Sequence, residues 1–288
     1  MALGPIFGVL FDGFAYGMLL FLLSVGLSVT LGMMNFVNLA HCAFAMLGGY
    51  TVVTLMNVYR WPFLATLPLA FLVAAMTSVA FERTLYRRLY RAAELDQVLL
   101  TIGLTFMSVA AAAYFFGTVQ QPIVTPPYLR GSITVVGVTF GLYRLFLVAT
   151  GLTIAMVLVL TLEYTRFGAT VRAAVDNQRM ARSLGINVDA AFAITFALGS
   201  GLAGLGGALA IEIVGLDPAF AFTYLVYVLI VVSVGGLGSI GGSFAAAILL
   251  GISDMAGKYY VPQVGSFLIY LVMVVLLMWR PTGLFGRR

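Results

Sequence analysis

The feature that most constrains the fold is a succession of apolar segments, each about as long as a bilayer is thick. A helix that crosses a membrane needs about 20 mostly apolar residues. Segments of this kind fall near 8–31, 38–56, 61–81, 98–117, 144–163, 189–212 and 264–279. The stretch 222–257 is too long for one straight helix and is broken by the run GGLGSIGG, so it forms either two spans or one span and a re-entrant piece. The sequence therefore predicts an all-α integral membrane protein with eight or nine transmembrane helices, some of them broken.

Composition excludes an ordinary soluble domain. Charged residues make up 9% of the chain and hydrophobic residues 62%, whereas about a quarter of the residues of a soluble domain are charged. We therefore treat residues 1–288 as a single transmembrane domain in contact with membrane lipid. The net charge of +5 is interpreted as membrane topology and not as nucleic-acid binding. The single cysteine, Cys42, excludes an internal disulfide.

Basic residues predict the orientation, because cytoplasmic loops carry an excess of Lys and Arg. Most arginines fall in the loop after 61–81, in the loop 164–188 and in the tail. The opposite side holds Arg60, Arg130, Arg144 and Lys258. We expect the C-terminus in the cytoplasm. With nine spans the N-terminus is outside; with eight it would be inside, against which the absence of basic residues near it argues.

The longest outside loop is 118–143. It begins with prolines and continues as SITVVGVTF, a β-prone run with Gly137 as a turn. It is either a plain connection or an outer surface for a soluble partner.

The longest strongly polar run is RFGATVRAAVDNQRMARSLGIN. Its pattern predicts one short helix, from about Thr170 to Ser183, that ends at Gly185. On such a helix Asp176 is placed to pair with Arg172 or Arg179. Of the residues that follow, either Asn187 or Asp189 can cap the next helix.

This run lies in the cytoplasmic loop 164–188 and has two readings. A solvated basic loop would explain its charges. The apolar residues Val175 and Met180, with the stop at Leu184 and Gly185, exceed what topology requires. We therefore interpret the run as a docking helix that binds a cytoplasmic motor protein, which moves the membrane part.

Two polar breaks lie in different halves of the chain. Asn35, Asn38 and His41 are three residues apart, so on a helix they would share one face and point inward. They either bond neighbouring helices or line a substrate path or gate. Broken helices indicate a transport site, because freed backbone groups need a cavity or protein around them. The second break contains Gly235, Gly236 and Gly238.

The sequence predicts no catalytic residue and no metal site. His41 is the only histidine, and Cys42 has no evident base beside it. The only lysine, Lys258, does not follow the glycines that a phosphate-binding loop needs. Three isolated carboxylates lie near span ends, where water is expected to reach them, namely Asp12, Glu212 and Asp254. Their functional interpretation is a proton relay.

The segment 189–212 carries small residues at every fourth position, which lets helix backbones approach closely. We expect this helix to pack tightly and to pass any movement of the polar run to the core. The two rows are Ala193, Ala197 and Gly201, and Gly199, Ala203 and Gly207.

At this point the motifs resemble a known family. The run RFGATVRAAVDNQRMARSLGINVDAAFAITFALGSGLAGLGGALA is similar to the cytoplasmic loop and following span of permease subunits from branched-chain amino acid ABC importers, of the LivH type. Three more stretches agree, namely MMNFVNLAHCAFAMLGGY, VVSVGGLGSIGGSFAAAILLGI and WRPTGLFG. One departure is Cys42, where relatives usually have glycine, which changes how closely that helix packs.

The resemblance implies an importer of several parts in the bacterial plasma (inner) membrane. An external solute-binding protein would capture leucine, isoleucine or valine, and this chain would form the path with a second, different permease. Two ATP-binding-cassette ATPase subunits would bind ATP and Mg²⁺, and this chain would bind no cofactor. The family's ATPase-docking helix carries over to Arg172, Asp176, Arg179, Met180, Leu184 and Gly185.

Three other functions stay open at this point. Relatives with similar motifs serve urea and short amides, so the solute is an expectation. An ion-coupled secondary transporter of small polar solutes would need buried charges, of which the sequence offers few. An intramembrane enzyme lacks a nucleophile with its base.

Overall fold

The structure is a computed structural model that describes residues 3–34, 36, 38–89, 92–135 and 138–286. Its helices are α1 (Leu3–Met34), α2 (His41–Asn57), α3 (Phe63–Phe81), α4 (Arg87–Leu89), α5 (Glu94–Phe116), α6 (Leu142–Tyr164), α7 (Arg166–Asp176), α8 (Gln178–Ser183), α9 (Val188–Val214), α10 (Phe220–Gly235), α11 (Ile240–Tyr260) and α12 (Gly265–Trp279). A π-helical turn, Glu82–Tyr86, joins α3 to α4. A 3-10 turn, Pro127–Leu129, precedes two strands, β1 (Ser132–Val135) and β2 (Val138–Gly141).

The helices confirm a multi-pass membrane protein. Within the described residues, six stretches are long and apolar enough to cross a membrane, namely Gly4–Gly32, Phe63–Leu89, Glu94–Phe116, Leu142–Tyr164, Val188–Val214 and Ile240–Tyr260. Two shorter apolar helices are α10 and α12. The predicted break within 222–257 is present, because α10 ends at Gly235 and α11 starts at Ile240.

The described chain is mostly helical, as an all-α membrane protein should be, and one short β-hairpin lies in the run that the sequence marked as β-prone. Strands β1 and β2 pair antiparallel, with Ser132 opposite Gly141 and Val135 opposite Val138. The β-branched residues of this run favour extended backbone. The predicted turn residue Gly137 lies outside the described residues.

The bundle has two ends, which we name by their contents. The basic end is where α1 and α6 finish and α9 begins, and it carries the helices α4, α7 and α8 with their arginines. The hairpin end carries β1 and β2, the start of α1 and the end of α9. An ion pair between Asp12 and Arg144 joins α1 to α6 at the hairpin end. The chain therefore begins at one end, whereas its tail packs at the other, as described below.

Helix α9 is the centre of the packing, since it lies against α1, α2 and α3. Its small residues allow backbones to meet. Gly199 lies against Gly26 of α1, and a Cβ on Gly207 would collide with the carbonyl group of Ala45 in α2. On the face toward α3, a Cβ on Gly201 would lie 2.7 Å from the ring of Phe71, and Ala203 is fully buried. Such contacts between small residues replace the hydrophobic driving force that helices lack in lipid.

Candidate functional site

The polar segment, residues 166–187, folds as two helices and not as one. The predicted single helix over Thr170–Ser183 is wrong, because the helix starts at Arg166 and stops at Asp176. Asn177 adopts an extended conformation, with φ −154° and ψ 94°, and its side chain accepts a hydrogen bond from the backbone N–H of Met180 at 3.0 Å. Asparagine competes with helix backbone in this way and favours the start of a new helix.

One face of the polar segment packs on the bundle through a hydrophobic cluster. Val175 lies at the edge of this contact, half-buried, and Met34 at the end of α1 packs against the same cluster. Burial of apolar side chains is the main term that holds a short helix on a neighbour. The segment is therefore attached to both α9 and α1. The buried members of the cluster are Val171, Ala174, Ala181, Val188, Ala191 and Phe192.

Ion pairs also attach the polar segment to the start of α9. Asp189 accepts a hydrogen bond from Arg182 of α8 at 2.8 Å, and it also pairs with Arg87 of α4. One carboxylate thus joins three elements at the basic end. Helix α9 is capped by the side chain of Asn187, which accepts from the N–H of Ala190 at 3.0 Å.

The predicted pairing of Asp176 with Arg172 or Arg179 is wrong. Within the described residues Asp176 makes no ion pair, and Arg172 donates instead to the carbonyl group of Leu162 near the end of α6. The reason is the break at Asn177, which takes Arg179 off the helix that carries Asp176.

The opposite face of the segment is open. The side chains of Met180 and Leu184 are 58% and 74% exposed, and Arg179 beside them is exposed. Gly185 ends α8 with φ +82°, and the N–H of Ile186 bonds back to the carbonyl group of Ala181 at 3.0 Å. Glycine suits this left-handed position. Two large apolar side chains are thus presented among arginines, at a place where no other part of the described chain covers them.

The first polar break enters the interior of the bundle. His41 is the first residue of α2, and its Nε2 donates to the carbonyl group of Leu23, which lies well inside α1. Thr105, in the middle of α5, donates to the carbonyl group of Leu39 at 3.2 Å. Non-helical backbone at membrane depth is tolerated where it is buried in protein or lines a cavity. The break satisfies that condition by bonding to α1 and α5.

Two polar side chains of this break carry unused hydrogen-bonding groups. Asn38 accepts from the N–H of Ala40 at 3.1 Å, while its Nδ2 has no partner among the described residues. Nδ1 of His41 is likewise unpartnered, and both residues are buried. The expectation of one shared helix face is wrong for this pair, because α2 begins only at His41; Asn35 lies outside the described residues. A buried polar group without a partner costs about 1–3 kcal/mol, so these two atoms are candidates for contact with a passing solute.

The glycine break lies at the basic end as a turn between α10 and α11. Gly236 and Gly238 have φ +96° and +77°. A Cβ on Gly32 at the end of α1 would collide with Gly238, and the N–H of Phe285 donates to the carbonyl group of Gly235 at 3.2 Å. The C-terminal tail therefore packs on this turn, and the turn packs on α1.

Asp254 is not where the sequence predicted it. It was expected near water, but its side chain is fully buried. Oδ2 accepts from Nζ of Lys258 at 2.6 Å, whereas Oδ1 has no partner in the part of the chain that the structure describes. The Lys258 ammonium also lies 5.5 Å from the centre of the Tyr16 ring. The spacing of Asp254 and Lys258, one helical turn apart, was a signal that the sequence offered.

The other two isolated carboxylates have partners. Asp12 pairs with Arg144, and Glu212 accepts from the hydroxyl group of Thr125 at 2.5 Å. Among the described residues, no three His, Cys, Asp or Glu side chains come together in a way that could hold a metal ion.

Comparison with known proteins finds one family whose pattern matches most of the chain. Residues 9–277 match the family described as branched-chain amino acid transport system / permease component. The permease protein BraD of a high-affinity branched-chain amino acid transport system in Pseudomonas aeruginosa is 24% identical, over 96% of this chain and 95% of its own length. LivH of Escherichia coli K12 is 26% identical over 96% of this chain and 94% of its length.

A permease protein with a different name, LivM, is also similar. LivM of Escherichia coli K12 is 25% identical, over 93% of this chain and 68% of its own length. No solved structure gives a significant match. The family match covers almost the whole helical bundle, including the polar segment and both breaks, and the resemblance inferred from the motifs is confirmed. The chain belongs to the family of permease components of branched-chain amino acid transport systems.

Proposed function

We propose that this chain is a permease subunit of an ATP-binding-cassette importer for leucine, isoleucine and valine. It would form the path with a second, different permease and would work with two ATPase subunits and an external solute-binding protein. The names of its relatives BraD and LivH support the solute class. Its similarity to both LivH and LivM supports a pair of related permeases.

The observation that carries the proposal is the open face of the polar segment. Met180 and Leu184 are exposed on a segment that a hydrophobic cluster and Asp189 fasten to the bundle. Movement of a partner bound to this face would also move α9 and α1, because side chains of both helices pack against the polar segment. We propose that the ATPase-docking residues are Arg179, Met180, Leu184 and Gly185 on this face, together with Arg172, Val175 and Asp176 of the adjoining helix α7.

The first break is the proposed solute path. The free Nδ2 of Asn38 is a donor for the solute carboxylate, and the free Nδ1 of His41 can accept from its ammonium group. Asn35 is proposed to line the same path. Gly235, Gly236 and Gly238 would form a gate at the basic end, where the turn meets the end of α1. ATP and Mg²⁺ would be bound only in the partner ATPases, and we propose no nucleic-acid partner.

We also propose the orientation in the bacterial inner membrane. The basic end would face the cytoplasm, because it carries most of the arginines. The start of α1 and the C-terminal tail lie at opposite ends of the bundle, which supports an odd number of spans, namely nine.

The test is purification of the tagged chain from its native membrane, with mass spectrometry and an ATP-driven leucine uptake assay in proteoliposomes. We expect the second permease and the ATPases to accompany the wild-type chain. Leu184→Asp places a charge on the open face, so we expect loss of the ATPases and at least about tenfold slower uptake, the effect of an unpaired charge in an interface.

Leu95→Asp is the matched control. Leu95 is 67% exposed at the start of α5, at the same end of the bundle but outside the polar segment. We expect this variant to retain the ATPases and to transport as the wild type does. Equal behaviour of both variants would remove the docking assignment.

One observation favours a second function, an ion-coupled secondary transporter. Asp254 is a buried carboxylate with one unpartnered oxygen, which such a transporter would need. Transport by this chain alone in liposomes with an ion gradient and without ATP would support that function over the importer. Uptake of urea or short amides in place of leucine would keep the importer and change its solute.

A further inference from the structure

A cavity of about 380 Å³ lies at the hairpin end, far from the polar segment and the first break. Its walls come from the 3-10 turn, from the start of α6 and from the end of α9. We call it the hairpin-end cavity. Its volume is in the range of about 300–1,000 Å³ that is usual for small-molecule sites.

The frame of the hairpin-end cavity is held by bonds between its walls. The hydroxyl group of Tyr143 donates to the carbonyl group of Leu209 in α9 at 2.8 Å. The N–H of Leu142 donates to the carbonyl group of Gly131 at 3.1 Å. With the ion pair between Arg144 and Asp12, α6 is thus tied to α9, to the loop and to α1. A site held in this way loses little freedom when a ligand binds.

The charges on the wall do not cancel locally. Arg144 is neutralised by Asp12. Glu212 accepts only from the neutral hydroxyl group of Thr125 within the described chain, so its charge is not compensated. Arg130 lines the same cavity and has no side-chain partner among the described residues.

The cavity is lined by one free positive group, which follows the 3-10 turn, and one free negative group, at the end of α9, and together they select the ligand. A simple anion would be attracted by Arg130 and repelled by Glu212, and a simple cation would meet the reverse. A molecule that carries both a carboxylate and an ammonium group satisfies both residues. Guanidinium groups bind carboxylates with two parallel hydrogen bonds, and carboxylates accept from ammonium groups. Leu129, which is buried, and Ile213, which is half-buried, supply apolar surface beside the charges.

From these contacts, we propose that the hairpin-end cavity binds a zwitterionic α-amino acid with an aliphatic side chain. Arg130 binds the carboxylate and Glu212 binds the ammonium group. The site would receive solute at the proposed outer face, before it reaches the first break. The choice of leucine as ligand rests on the proposed function, whereas the need for both charges rests on the cavity alone.

The test is isothermal titration of the purified full chain in lipid nanodiscs. The probes are L-leucine, 4-methylpentanoate, which lacks the ammonium group, and 3-methylbutylamine, which lacks the carboxylate. We expect leucine to bind, and both analogues to bind at least about tenfold more weakly, because a hydrogen bond to a charged group contributes about 1.5–3 kcal/mol. Arg130→Gln and Glu212→Gln should each weaken leucine binding to a similar extent.

Two further variants separate the cavity from a general change of surface charge. Gly141→Val keeps every charge, fits the φ of −67° at this position and adds a side chain to the cavity wall. The added side chain takes volume that the ligand would occupy, and overpacking of this kind should also weaken binding at least about tenfold. Arg60→Gln removes an exposed positive charge outside the cavity and should leave binding unchanged.

The outcomes distinguish this site from the proposed function. Leucine binding that is absent, or that is unchanged in Arg130→Gln, Glu212→Gln and Gly141→Val, would overturn the site. ATP-driven leucine uptake by the wild-type assembly would still uphold the importer in that case. If the full chain binds leucine as expected while the assembly imports another solute, the site stands and the proposed solute is wrong.

Discussion

At the scale of single residues, Asp189 decides how the polar segment is held. It lies in the first turn of α9, where the helix dipole favours a negative charge, and it pairs with Arg182 and Arg87. The sequence predicted Asp189 only as a cap. Its pairing with Arg87 joins residues far apart in the chain, which no local spacing could reveal.

We predict that Asp189→Asn loosens the polar segment and leaves the bundle folded. Ion pairs that are about half exposed contribute about 0–1 kcal/mol to stability, so the unfolding midpoint in detergent should change little. Side chains on a coupled path change the coupling free energy by about 0.5–2 kcal/mol. ATP-driven uptake should therefore fall about two- to thirtyfold.

Asp96→Asn provides the comparison. It removes the same charge from the first turn of another helix at the basic end, α5, at an exposed residue that makes no ion pair within the described part of the chain. Uptake by this variant should match the wild type. A loss of the same size in both variants would mean that the net charge of the basic end matters, and not the contacts of Asp189.

At the scale of elements, the sequence predicted the central helix well and the polar segment less well. The small residues of α9 are local in sequence, and their four-residue spacing alone indicates a close-packed face. The sequence analysis missed the break at Asn177. The Asn177 side chain competes with the helix backbone for the N–H of Met180, and the sequence does not show at which asparagine this competition interrupts a helix. The sequence likewise could not show that the helix after the first polar break begins at His41, or that the His41 side chain bonds to Leu23 of another helix, because that contact joins residues that are distant in the sequence.

We predict that Gly207→Ala destabilises the bundle by about 1–3 kcal/mol, the usual cost of overpacking. The new Cβ would collide with the backbone carbonyl group of Ala45, which cannot move aside as a flexible side chain would. The measurement is the unfolding midpoint of the purified chain in mild detergent.

Gly103→Ala is the same change in α5, where a Cβ would meet no atom within 4 Å. Alanine stabilises a helix by about 0.8–1.0 kcal/mol relative to glycine, so this variant should be neutral or slightly more stable. If both substitutions lowered the midpoint equally, close packing of α2 on α9 would not be the cause.

At the scale of the whole molecule, the class of fold followed from the length and number of apolar segments, but the depth of charged groups did not. Asp254 was predicted near water from its position near the end of a span. In the folded chain it is buried beside Tyr16 and Lys258. Which side of a helix faces the interior depends on neighbours that are distant in sequence, and hydropathy averages over both sides.

The start of α1 and the C-terminal tail lie at opposite ends of the bundle, so we expect them to be accessible from opposite sides of the membrane. Cys42 is fully buried, so the native chain should not react with a membrane-impermeant maleimide in spheroplasts and serves as its own background. We expect Pro5→Cys and Val119→Cys to be labelled in intact spheroplasts, because both positions are exposed at the hairpin end. Leu184→Cys and Phe285→Cys, exposed at the basic end, should be labelled only after permeabilisation. Labelling of Pro5→Cys and Phe285→Cys from the same side would mean an even number of spans, eight, and would require one of the shorter helices, α2, α10 or α12, to enter and leave the membrane on one side.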